Sequence, residues 1–162
     1  MTPQERLAQL LDPTRAPEVI ATLAELVRAE VSAKSGVAGM AIKTAFKTLL
    51  CAKPNVVEAL LGGLLPDFIR AITPLYEEFA RLAGAERAGA ERAEGGGADL
   101  NAFIERHKGR FVSALLSVTD ARAARSPHKA LLSVYQTLRP MAEAQVAAAL
   151  PALAAALRRL GL

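Results

Sequence analysis

The chain has 162 residues, and apolar types make up 52% of them, with 34 Ala and 24 Leu against an aromatic share of 4% and no Trp. Ala and Leu head the helix-propensity ranking while strand-favouring residues are sparse, so the composition argues for an all-α protein with an aliphatic core. A formal net charge of +4 permits attraction to nucleic acid, anionic lipid or acidic protein and demands none of them. One cysteine excludes an internal disulfide, and one cysteine with two histidines excludes a Cys/His zinc set within one chain.

From the N-terminus, Thr2-Pro3-Gln4-Glu5 is a capping box with Pro at the first helical position, and Leu7, Leu10 and Leu11 form the inner face of a short helix that ends at Asp12-Pro13. A second helix runs from about Pro17 to Ala33, with Val19, Ile20, Leu23, Leu26, Val27 and Val31 at helical spacing. Ser35-Gly36 separates it from a helix at 37–52. From Val31 to Val57 there is no Asp or Glu, only Lys34, Lys43, Lys47 and Lys53. Ala38, Gly39, Ile42, Ala45, Phe46, Leu49 and Leu50 share one face of this helix. Val37, Met40, Thr44, Thr48 and Cys51 make a second, softer face, with Lys43 and Lys47 on the edge between the two. A helix apolar nearly all round is a buried one, so 37–52 is expected at the centre of the fold with Cys51 as a buried, reduced small hydrophobe.

Pro54-Asn55 restarts the chain, with Asn55 and Glu58 as a further capping box, and Gly62-Gly63 either ends that helix or allows a close crossing. Pro66-Asp67 opens an amphipathic helix with Phe68, Ile69, Ile72, Leu75, Tyr76, Phe79 and Leu82 on one side. Pro74, on the polar side, is expected to bend it. Residues 83–97 carry a tandem five-residue repeat ending in three glycines, with no large apolar side chain, and read as a flexible low-complexity linker within a single domain spanning 1–162. Asp99 caps the next helix. Ser126-Pro127 signals an N-cap and first helical position, and Pro140 and Pro151 punctuate an Ala-rich terminal segment. The sum is about eight short, proline-punctuated helices in an irregular bundle. The longest uncharged run, Ala144 to Leu157, is too short to span a membrane and no signal-peptide core precedes the first helix, so a cytoplasmic protein without a transmembrane segment is expected.

Two blocks, KSGVAGMAIKTAFKTLLCAKPNVVEALLGGLLPDFIRAITPLYEEF and FVSALLSVTDARAARSPHKALLSVYQTLRPMAEAQVAAALPALAAAL, resemble a family of small all-helical bacterial proteins, best represented in actinobacteria, with no assigned function. The resemblance implies a single helical domain and transfers no catalytic or binding residue.

Three sets of residues are candidates for function. Arg122, Arg125, Ser126, His128 and Lys129 surround a helix start, where free N–H groups attract anions. The surrounding 111–138 reads as a helix–turn–helix with Ser133, Gln136 and Thr137 outward to reach bases. Ser126 and Lys129 also match Ser-x-x-Lys, but its companion motifs are missing and capping explains the serine. Lys43 and Lys47, one turn apart on a greasy helix, suit the head group of a fatty acid or lipid, although lysine stems also cover apolar surface with their heads in water. Glu77 and Glu78 are adjacent, do not face each other, and are no catalytic pair. No cofactor and no metal is expected. The leading functional expectation is a non-catalytic, self-associating interaction module; next comes a binder of an apolar or amphipathic anion, then nucleic-acid binding through 111–138.

Overall fold

The structure, a computed structural model, describes residues 1–90 and 99–162, the side chains of 86–90 excepted. Every element among the described residues is helical: α1 (Pro3–Ala8) running into a 3-10 turn (Gln9–Leu11), α2 (Ala16–Ala33), α3 (Gly36–Ala52), α4 (Val56–Ala90), α5 (Leu100–Arg106), α6 (Lys108–Arg125) and α7 (Lys129–Arg159). Among the described residues seven α-helices stand where about eight were expected, because Pro66, Pro140 and Pro151 do not divide the chain as expected. Pro66 and Pro74 lie inside α4, and Pro140 and Pro151 inside α7. All four are exposed. An interior proline removes one backbone hydrogen bond, and on the solvent side water can take the freed carbonyl, so the helix continues through it.

Local signals at the other boundaries hold in part. Thr2 and Glu5 form the reciprocal capping box of α1, with Glu5 N–H donating to Thr2 Oγ1 at 3.1 Å. Asp99 accepts from Asn101 N–H at 3.1 Å and starts α5. α7 ends in a Schellman motif on Gly161 (φ +96°), in which Leu162 N–H reaches the Leu157 carbonyl and Gly161 N–H that of Arg158. Ser126-Pro127 does not start a helix: α7 begins at Lys129, and Ser126 Oγ instead accepts from His128 N–H at 3.2 Å in the turn. The expected linker at 83–97 begins as helix, since α4 runs to Ala90; its remainder, 91–97, lies outside the described residues.

α2 and α6 each pack against both α4 and α7, so these four form a bundle in which α4 and α7 stand across from one another. α1 closes one side against α4, and α5 packs on α6 and α7. The main core joins Leu65, Ile69, Ile72 and Leu75 of α4 to Phe111 and Leu116 of α6, Leu150, Ala154 and Leu157 of α7, and Val19 of α2. Tyr76, Phe79, Phe103 and Phe111 stack at one end, with ring centroids 5.5–6.2 Å apart. Gly62 and Gly63 continue α4 and allow close crossings, Gly62 under Ile20 of α2 and Gly63 under the Arg122 guanidinium of α6. With 31 residues, α7 is by length and composition long and apolar enough to cross a bilayer, although its C-terminal half supplies Leu150, Ala154 and Leu157 to the core.

α3 is not the central helix. It packs on α2 and α7, with Phe46, Leu49 and Leu50 over a small cluster of Ala24, Val56 and Val57, and its second face is open. Val37 is 88% and Met40 71% exposed, and Cys51 is exposed as well, contrary to the burial expected of it. Apolar character on two faces of a helix does not by itself supply neighbours for both.

Candidate functional site

α2, α4, α6 and α7 meet in the main core, and beside that packing a half-open apolar space is left among them. The space left is a cavity of about 200 Å³. Leu26 of α2, Phe68 and Ile69 of α4, Leu115 of α6, and Val146 and Leu153 of α7 contribute to its wall, and among the described residues Thr119 is the one polar residue lining it. α2 and α6 each lie against both α4 and α7, and the space opens where these four helices come together.

Thr119 belongs to a network that ties α6 to α7. Its Oγ1 lies 2.9 Å from the Tyr135 hydroxyl and 3.1 Å from the Leu116 carbonyl. The Tyr135 O–H donates to Asp120 Oδ1, and Arg139 grips the same carboxylate with Nε at 2.8 Å and Nη2 at 3.1 Å. Since the phenol proton is committed to Asp120, Thr119 donates either to the phenol oxygen or to Leu116. Arg139, then Tyr135, hold the Asp120 carboxyl below its usual range. Burial, reinforced by the Asp120 charge, pushes the Tyr135 phenol up. Thr119 therefore spends its hydrogen bonding on the protein.

That arrangement decides what the cavity accepts. A buried water needs two to four polar partners, whereas an apolar cavity of about 150 Å³ stays dry and binds a benzene-sized guest. This cavity offers aliphatic walls and one satisfied hydroxyl, so it favours hydrocarbon over water. Its volume falls below the ~300–1,000 Å³ of drug-sized sites, which limits a guest to a single ring or a short stretch of chain.

The residues singled out from sequence sit elsewhere. Lys43 and Lys47 are exposed on α3, which contributes nothing to the cavity wall. Arg122, Arg125, His128 and Lys129 are exposed around the α6–α7 turn and Ser126 is half-buried within it. Arg122 lies over Gly63, and Arg125 Nε donates to the Ala121 carbonyl at 3.3 Å. Ser133, Gln136 and Thr137 are outward, as expected. The two helices are nevertheless not a splayed helix–turn–helix. Asp120 bonds to both Tyr135 and Arg139, and Arg139 lies ten residues into α7, about 15 Å along its axis. Helices crossing near a right angle have separated too far by then for side chains to touch. α6 and α7 run back alongside each other as a hairpin. Sequence reasoning missed the cavity residues as a site because each reads as ordinary core.

The architecture so described is that of an all-α bundle domain with an apolar space on its axis. The chain belongs to a family of unknown function, DUF6918, whose profile matches residues 7–160. No match is found among curated proteins or among solved structures.

Proposed function

We propose that this protein is a non-catalytic helical domain that takes a small apolar molecule, or the end of a hydrocarbon chain, into the cavity between α2, α4, α6 and α7. The observation that supports this reading is the wall: about 200 Å³ of space bounded by aliphatic and aromatic carbon, with its one hydroxyl already bonded. Among the described residues no ionisable side chain lines the cavity to move a proton there. Specificity then rests on shape and length, and Lys43 and Lys47 take no part in it.

Thermal unfolding with benzene or a medium-chain alcohol as probe tests the reading. A probe at a hundred times its Kd raises stability by about 2.7 kcal/mol. Ala149→Leu, which projects a larger side chain into the space, is expected to raise the melting temperature of the free protein and remove the response to probe. Unchanged melting with every probe, together with a native mass spectrum free of retained ligand, overturns the reading.

Self-association is a second reading, and a specific feature favours it. Among the described residues, the cluster around Val56 and Val57 is covered by half-buried Val27, Phe46, Leu49, Leu50, Leu60, Leu61 and Leu131, leaving apolar area for a second copy to cover. Sedimentation at micromolar concentration is expected to show a dimer, and a clean monomer removes this reading.

A further inference from the structure

The outward side of α3 is a stripe of exposed apolar and small polar side chains with lysines within it and beside it. Val37, Met40, Thr44, Lys47 and Cys51 follow one another at i, i+3, i+7, i+10 and i+14, and all are exposed. Lys43 flanks the stripe and Lys53 lies at its C-terminal end, also exposed. None of Lys43, Lys47 and Lys53 has a carboxylate within ion-pair distance among the described residues, and the sequence has no Asp or Glu from Val31 to Val57. Of the four lysines in this window only Lys34 is paired, to Glu30 at 3.3 Å.

We infer that α3 docks this side against an anionic lipid bilayer. Val37 and Met40 enter the boundary between head groups and acyl chains, and the lysines remain at phosphate level on their flexible stems. The charge selects this occupant. A second copy meeting the same stripe across a two-fold axis would oppose lysine to lysine. Nucleic acid would satisfy the lysines but leave Val37 and Met40 unaccounted for, since phosphate contacts need no apolar neighbour. A bilayer accommodates both kinds of group at once and requires no shape match from two side chains that would make a small protein interface. The α7 start packs beside α3, with Leu131 on the same small cluster as Phe46 and Leu49, and brings exposed His128 and Lys129 to that end of the molecule.

Flotation with phosphatidylcholine vesicles, with and without phosphatidylglycerol, tests the inference on the intact chain. The protein is expected to float with the anionic vesicles only, and to detach as salt is raised. The pair Lys43→Glu and Lys47→Glu should weaken binding by more than about tenfold. The pair Val37→Ser and Met40→Ser, which keeps the charge, should weaken it by about tenfold as well. All four side chains are exposed, so circular dichroism should report an unchanged fold. Failure to float, or flotation indifferent to both pairs, overturns the inference. Salt-sensitive binding to duplex DNA that ignores the serine pair assigns the lysines to nucleic acid instead. A dimer abolished by the serine pair assigns the stripe to a second copy, and either result overturns docking on lipid.

Discussion

Asp120 shows how one carboxylate holds two helices and sets its own pH limits. Its pKa lies below the usual 3.8, so its contribution to stability is complete above that value and is lost as pH falls through the lowered one. Tyr135 has the opposite sign. Its phenol titrates above the usual 10.0, so the contribution of its protonated form is complete below that pH and is lost over the interval from there up to the raised value. Phenolate absorbance in a Tyr76→Phe background, where Tyr135 is the one remaining tyrosine, should therefore rise later than that of free tyrosine. Asp120→Asn should move it back towards the ordinary range, and an unmoved titration would show that the carboxylate does not act on the phenol. In the core the decisive residue is Leu150, 1% exposed and part of the cavity wall. Leu150→Ala enlarges a space that already exists and is expected to cost about 2–5 kcal/mol in denaturant unfolding.

Single elements record where local chemistry speaks and where packing overrules it. The Thr2–Glu5 box and the Asp99 cap were legible because each depends on residues at most three apart. The prolines misled for the reverse reason. Whether Pro66, Pro140 or Pro151 breaks a helix depends on which way it faces, and facing is set by neighbours distant in sequence. Ser126-Pro127 failed similarly, since α6 holds the turn through its own C-terminus, where Ser126 N–H bonds to the Ala123 carbonyl. Two glycines measure the element scale directly. Gly84 sits inside α4 with open space around a would-be Cβ, so Gly84→Ala should stabilise the fold by about 0.5–1 kcal/mol. Gly161 is held at φ +96° by the α7 terminus, so Gly161→Ala should cost about 1–2 kcal/mol. With roughly 2–4 °C per kcal/mol in a chain of this size, differential scanning calorimetry resolves the two opposite shifts.

For the molecule as a whole, the all-α class was readable from Ala and Leu alone, while the arrangement was not. A tally of apolar positions on α3 gives two greasy faces, but only the fold decides that α2 and α7 cover one of them. The cavity was invisible for a related reason: its wall is assembled from four helices, and no one segment encodes it. The two proposed activities occupy separate regions, the bundle axis and the outer side of α3, so each set of variants should leave the other measurement unchanged. Cys51 gives the second region a practical advantage. As the sole thiol in the chain, and standing in solvent on the stripe itself, it takes a maleimide dye at one known position without any engineering. The colour of that dye, bluer in a less polar medium, then indicates directly whether the helix has left water.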